Sequence, residues 1–218
     1  LNLIENNKEL IDQYYLTTHP DEIKTKIQRK KLNYLPIPVD PNIENLKIYN
    51  FKNRYKDLFF ALSHGVNFGK LKRGKTDERE NFIKNLMGLF PNIKYNILGI
   101  SNETPKWNYN FYIELAKCKM SLNLSRGKPL KYTSSNRIAA LIGNGIFTFI
   151  DRNTKFDDFF NDEEVGFYKD VNDLGNKIEH LLSNPNKINE YAKRGKNKYF
   201  KLFNNKLITS NIINKTFN

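Results

Sequence analysis

Six cations and no carboxylate lie between Glu114 and Asp151: Lys117, Lys119, Arg126, Lys128, Lys131 and Arg137. Residues 125–145 of that stretch read SRGKPLKYTSSNRIAALIGNG: a basic loop, a helix start, a short apolar helix and a Gly-Asn-Gly stop. Thr133, Ser134, Ser135 and Asn136 are all good N-cap residues, and Gly143 or Gly145 suits the helix end. A helix start already carries partial positive charge, so each cation placed against it costs roughly 0.3–1 kcal/mol. An anion docked there would account for the crowding, because N–H groups, dipole and side chains would then act together. The alternative is that these side chains simply extend into water. A second loop has the same character. Between Asp57 and Asp77 come Lys70, Lys72, Arg73 and Lys75, again with no acid, in a segment that also holds Gly65, Gly69 and Gly74.

The elements that must position these loops alternate along the chain. Residues 58–64, LFFALSH, form a continuous apolar run typical of a strand buried on both faces, and the glycine-rich basic loop follows it. Thr76 can cap a helix with Phe82, Ile83, Leu86 and Met87 on one side. Residues 95–99 read as a second strand, 107–116 as a helix, 120–124 as a third strand and 146–150 as a fourth. Residues 156–160 suit one helical turn, 165–168 an edge-like fifth strand, and 171–182 and 187–199 two closing helices. A frayed amphipathic tail then runs through Ile208, Ile212 and Ile213. Strict alternation of this kind predicts an α/β fold, a doubly wound parallel sheet of Rossmann-like form with strand order 2-1-3-4-5. Ligands of such sheets sit beyond the carboxyl ends of the strands where the order reverses, between the first strand and the third. The two acid-free loops leave those two strands. Their convergence predicts a ligand with more than one phosphate.

Upstream, residues 14–18 read as a short strand, 21–27 as a helix opened by Asp21 and Glu22 with Ile23 and Ile27 on one face, and 32–35 as another strand. PIPVDP at 36–41 reads as a stiff linker. The expected division is therefore 1–41 as the remnant of an N-terminal domain plus linker, 42–200 as the Rossmann-like domain and 201–218 as a helical tail.

At 218 residues the chain is long enough for one good core, and a net charge of +13 suits nucleic acid, anionic membrane or phosphorylated ligands. The abundance of Asn, Ile and Lys also fits an AT-rich coding sequence. A single cysteine, Cys118, excludes an internal disulfide framework and fits a reducing compartment. No run approaches the length of a membrane span, so a cytoplasmic protein is expected, with peripheral contact at an anionic inner membrane face as a further expectation. No Cys/His cluster or close acidic pair suggests a metal.

Three readings compete for the crevice. GKLKRGKT at 69–76 matches the P-loop pattern literally, with Asp151 as a magnesium-holding aspartate. Against it, the strand ends near His64, well before Gly69, and Asp77, Glu78 and Glu80 stand where a triphosphate would lie. Nucleic-acid binding would use the same cations with Phe68, Trp107, Tyr109 and Tyr132 as stacking platforms, yet the cations gather at loop ends rather than along one helix. The third reading rests on a resemblance. FFALSHGVNFGKLKRG, YNILG, KMSLNLSRG and SSNRIAALIGNGIFTFID, in that order, resemble the C-terminal, donor-binding half of a GT-B glycosyltransferase of group 1, in its CgeB-like branch. The likeness covers roughly residues 58–199.

The resemblance implies a domain that grips the diphosphate of a nucleotide-sugar and passes the sugar to a glycan, lipid or protein acceptor, with no cofactor. By matching position, Gly65 would let backbone approach the ligand and Lys70 and Lys72 would meet phosphate. Ser134, Ser135 and Asn136 would offer donors at the helix start, and Arg137 would neutralise charge on the leaving diphosphate. Arg126 and Lys131 would be outer contacts, and Arg79 matches an arginine of this branch. The catalytic base is expected from the N-terminal half, so none is assigned here. The chain departs from the family pattern at one point. Two glutamates eight residues apart usually flank this helix, and their positions here are Tyr132 and Ala140. Ribose recognition then falls to Asn144 or another group. Of the histidines, His64 ends the first strand and faces the crevice, His19 reads as a turn residue or a cleft residue, and His180 reads as structural.

Overall fold

The computed structural model describes residues 6, 8–63, 78–100 and 103–217. Among these, seven strands form: β1 (Tyr14–Leu16), β2 (Leu32–Tyr34), β3 (Lys56–Ala61), β4 (Tyr95–Leu98), β5 (Cys118–Asn123), β6 (Phe147–Asp151) and β7 (Gly166–Tyr168). Six α-helices accompany them: α1 (Glu78–Leu89), α2 (Asn108–Ala116), α3 (Asn136–Gly143), α4 (Val171–Leu182), α5 (Pro185–Phe203) and α6 (Asn205–Phe217). β3 to β7 make one parallel sheet in the order β4-β3-β5-β6-β7, which is the 2-1-3-4-5 order of a doubly wound fold.

Adjacent residues of β3 explain why its sequence is apolar without alternation. Phe60 joins a core with Met120, Leu122, Ile83 of α1 and Ile178 of α4, on one face of the sheet. Phe59 points the other way, into a core with Leu115 of α2 and Leu141 of α3. Both rings are fully buried, and each such burial contributes about 1.5–3 kcal/mol. A third core joins Ile138 and Ile142 of α3 to Phe167, Tyr199 and Phe203. The edge strand β7 is wholly buried under these helices, and Cys118 is buried at the start of β5, its thiol pushed up to about 12 chiefly by burial.

The upstream segment departs from expectation. β1 and β2 form and pair in parallel, but no α-helix lies between them. Short 3-10 turns at Pro20–Glu22 and Arg29–Lys31 stand there instead. The N–H of Ile27 donates to Thr25 Oγ1 at 3.2 Å, a local turn that competes with helix propagation. The segment at 36–41 is extended, and it is fastened rather than loose. Val39 bridges to Asn204, Val39 N–H donates to the Phe203 carbonyl at 2.9 Å, and Tyr199 Oη donates to the Ile37 carbonyl at 3.0 Å. The tail is a continuous helix, α6, held to β1 by Tyr15 Oη, which donates to the Ile212 carbonyl at 3.1 Å.

Candidate functional site

The helix that carries the basic cap loop is built as its sequence suggests. Ser135, in extended backbone, is the N-cap, and its Oγ accepts the Ile138 N–H at 3.3 Å. Ile138, Leu141 and Ile142 bury the apolar stripe. At the far end Gly143 lies so close to Glu44 and Val39 that an added Cβ would sit 2.7 Å from Glu44 Cγ and 2.8 Å from Val39 Cγ1. Gly145 follows with φ of 76°, a left-handed turn that leads into β6.

A cavity of about 300 Å³ opens beside the first turn of α3. Its floor is the carboxyl end of β3, at Ala61, Leu62 and Ser63. One wall is Asn136, Arg137 and Ala140 of α3, and the facing wall is Pro105, Lys106 and Trp107 with Asn108, Phe111 and Tyr112 of α2. Arg137 reaches the floor: its Nη1 donates to the Ala61 carbonyl at 3.4 Å and its guanidinium lies 5.8 Å from the centre of the Phe60 ring. Lys106 is held at the rim by Glu114, Nζ to Oε1 at 2.7 Å. Burial pushes the Glu114 carboxyl up, but hydrogen bonds from Lys106, Lys117 and Asn96 outweigh it and hold the group at about 2. The arrangement is a mostly apolar slot with an arginine and a helix start at one side, where N–H groups have no acceptors within the helix. Such a slot fits a flat ring together with an attached anion.

The candidate residues distribute unevenly around this slot. Asn136 and Arg137 line it. Ser135 Oγ is engaged in its cap, and Ser134, buried, accepts the Ile37 N–H at 2.9 Å and gives its own N–H to the Thr17 carbonyl at 2.7 Å. Arg126 is exposed in the loop after β5, where the neighbouring Gly127 N–H donates to the Glu78 carboxylate of α1. Arg79 is buried in the first turn of α1. Lys131 lies 4.8 Å from the centre of the Tyr132 ring on the side of β1, where its carbonyl accepts the His19 N–H at 2.9 Å. Gly65, Lys70, Lys72 and His64 lie outside the described residues, as does the whole P-loop-like stretch at 69–76.

The suggestion that Asn144 contacts ribose needs correction. Asn144 is fully buried at the C-terminal end of α3, and its side chain accepts the Leu46 N–H at 3.2 Å and donates to the Ala140 carbonyl at 2.8 Å. Eight residues of helix separate it from the cap, on the order of 12 Å at 1.5 Å per residue. Of the two positions where carboxylates are usual, Ala140 presents its methyl to the cavity, whereas Tyr132 Oη donates to Asp158 Oδ2 at 2.7 Å. That hydrogen bond, with burial, pushes the Tyr132 phenol up to about 12. His19 meets the Tyr132 ring edge-on at 5.2 Å, which places it against the cap loop, and His180 lies on α4. Asp151 accepts the Asn153 N–H at 2.8 Å as the cap of a 3-10 turn. The sequence marks the wall at 105–112 only through Trp107 and Tyr109, read there as stacking platforms for nucleic acid and not as a nucleoside wall.

The sheet order and the helices packed on both of its faces define the class: a Rossmann-like α/β domain with a slot at the carboxyl end of its first strand. HepE from Anabaena, in a structure with UDP and glucose, superposes with a TM-score of 0.68 at 10% identity over 98% of this chain. TarM gives 0.64 at 12% identity over 100% of the chain, and sucrose-phosphate synthase from Thermosynechococcus elongatus gives 0.57 at 12% identity over 94%. The chain spans 65% of HepE, 46% of TarM and 58% of the synthase. No curated protein sequence matches it. The sequence profile of the glycosyl transferase-like family matches residues 76–213, more than half of the chain, and the protein belongs to that family. Among the described residues no helix is long and apolar enough to cross a membrane, and no group of three or more His, Cys, Asp or Glu is placed to hold a metal ion.

Proposed function

We propose that the slot beside α3 binds the nucleoside of a nucleoside-diphosphate sugar, and that the chain is the donor half of an enzyme transferring that sugar to a glycan, lipid or protein acceptor. The observation that carries the reading is the cavity itself, apolar on the side of Trp107, Phe111 and Tyr112, with Arg137 and the start of α3 on the other. A base fits between the aromatic wall and Ala140, and its diphosphate then runs toward the cap. HepE, with the same fold, holds UDP and glucose.

In this reading Arg137 and the N–H groups of the first turn of α3 meet charge that builds on the diphosphate as the glycosidic bond breaks. The contribution is electrostatic, from groups already fixed before reaction. Arg137 is well suited because its guanidinium lies over the Phe60 ring and donates to the Ala61 carbonyl, so little ordering remains when the anion arrives. Lys70, Lys72, Arg126 and Lys131 add cationic cover from the two loops, and Ser135 acts through the cap. Residues 1–41 are acceptor-side sequence plus linker, and no residue of the chain is assigned as the catalytic base. The ribose binds without a carboxylate from Ala140, and the reaction needs no metal or other cofactor.

Calorimetric titration of UDP, GDP and ATP into the wild-type chain, Arg137→Ala and Lys75→Ala tests the reading. A nucleoside diphosphate should bind, lose most of its affinity in Arg137→Ala and keep it in Lys75→Ala. Magnesium-dependent ATP binding abolished by Lys75→Ala would select the P-loop instead. Steep salt-dependent binding of single-stranded nucleic acid with no nucleotide binding would select the third reading.

A further inference from the structure

On the other flank of α2 a second cavity of about 310 Å³ is walled almost wholly by apolar side chains, from Ile43, Leu46 and Phe51 on one side to Tyr109, Tyr112 and Ile113 on the other. Four of these side chains stand out into solvent, Tyr109 77% exposed, Ile43 62%, and Phe51 and Ile113 close to 40%, whereas Leu46 and Tyr112 pack partly against the core. Trp107, on the wall of the neighbouring slot, is also more than half exposed. So large a contiguous apolar surface marks an interaction site.

The charges around it identify the partner. Lys47 and Lys52 are exposed and Lys56 half-exposed, each on the segment that forms or follows one wall, and none pairs with a carboxylate among the described residues. The acids nearby are already engaged. Glu114 is held between Lys106 and Lys117, Asp57 accepts from Lys119 at 2.7 Å, and buried Glu44 accepts the Asp40 N–H. The patch is therefore apolar and aromatic at its centre with uncompensated lysines at its rim. Tyrosine and tryptophan beside lysine, around exposed aliphatic residues, match the boundary between anionic headgroups and acyl chains. A second copy of a chain with net charge +13 would be repelled from the same rim.

We infer that this face of α2 and residues 43–56 docks on an anionic lipid bilayer. α2 lies between the two cavities: Asn108 and Phe111 line the slot, Tyr109, Ile113 and Ala116 line the patch, and Tyr112 lines both. Docking would thus hold the slot at a fixed height above the lipid surface. The inference does not depend on what the slot binds.

Flotation of the full chain with phosphatidylcholine vesicles, with and without a share of phosphatidylglycerol, tests it. The chain should float with the anionic vesicles only, and added salt should release it. Replacing Lys47, Lys52 and Lys56 by Gln should lower the partition coefficient about fivefold per lysine. Ile43→Asp with Ile113→Asp, both on exposed positions, should abolish flotation while leaving the melting temperature and the nucleotide titration unchanged. Flotation of the aspartate variant equal to wild type would overturn the inference, as would failure of the wild type to float. A dimer seen by analytical ultracentrifugation and dissolved by the aspartate pair, with no vesicle binding, would overturn it in favour of self-association.

Discussion

Replacing Arg137 by alanine separates the structural from the functional work of that side chain. Its fork rests on the Ala61 carbonyl at a long 3.4 Å, and its guanidinium sits 5.8 Å from the Phe60 ring. A weak hydrogen bond and a partly exposed cation–π contact together are worth about 1–2 kcal/mol. Loss of a charge-assisted hydrogen bond to a diphosphate costs about 1.5–3 kcal/mol of binding, or roughly 10- to 150-fold in Kd. Arg137→Ala should thus lower the melting temperature by a few degrees, about 4 °C or less for each kcal/mol in a chain of this size, and weaken UDP by that factor. Arg137→Lys should recover part of the affinity, because an ammonium keeps the charge and loses the fork. Isothermal titration with UDP and with uridine supplies the control: uridine has no diphosphate, so its affinity should change little. Equal loss for uridine and UDP, or unchanged UDP affinity in a folded Arg137→Ala, would refute the assignment of Arg137 to the diphosphate.

Three further outcomes follow from the same geometry. Ala140→Glu puts a carboxylate on the cavity wall where ribose hydroxyls would lie, so it should tighten UDP several-fold and 2′-deoxy-UDP less, read by the same titration; equal gains would exclude ribose as its partner. Gly143→Ala forces a methyl to within 2.7 Å of Glu44 Cγ and 2.8 Å of Val39 Cγ1 and should cost roughly 1–3 kcal/mol in urea unfolding. Glu114, held at about 2 by Lys106, Lys117 and Asn96 against burial, is a depressed carboxylate. Its contribution of about 2–3 kcal/mol is complete above the unfolded value near 4.3 and fades as pH falls toward 2. Glu114→Gln should therefore be less stable than wild type at neutral pH, with the gap closing between about pH 4 and pH 2.

The sheet was legible because every one of its strands carries its own signal. FFAL at 59–62 and IFTFI at 146–150 are too apolar to face water on either side, and glycines or basic loops bound them. The cap of α3 was legible only as a cluster. Four consecutive residues could each have been the N-cap, and the choice of Ser135 is set by Ser134 being drawn into the Ile37 N–H. That hydrogen bond spans 97 residues and leaves no local trace. Asn144 misled for the same reason: beside two glycines it reads as a loop residue open to ligand, whereas Leu46 from far upstream consumes its amide. The helix expected at 21–27 had acids in its first turn and an Ile23/Ile27 pair, but two isoleucines are too narrow a face to repay nucleation. Thr25 and the pairing of β1 with β2 settle the segment otherwise.

The two ends of α3 show how a helix of only eight residues is kept in place. At its C-terminus the Gly143 carbonyl accepts from Lys196, a buried lysine that also donates to the Glu44 carbonyl at 2.6 Å. Burial brings that ammonium down to about 8, yet two carbonyls and the negative end of a helix face it. A cation at that end stabilises the helix, whereas the cations at its other end oppose it. Of the described cations at the two ends of α3, Lys196 is enclosed by protein, whereas Arg126 is exposed and Lys131 and Arg137 are half-exposed. A cation buried at the favourable end and Arg137 lining the cleft at the unfavourable end make sense together if the second is completed by an anion from solution. Phosphate analogues should accordingly raise the melting temperature of the wild type more than that of Arg137→Ala.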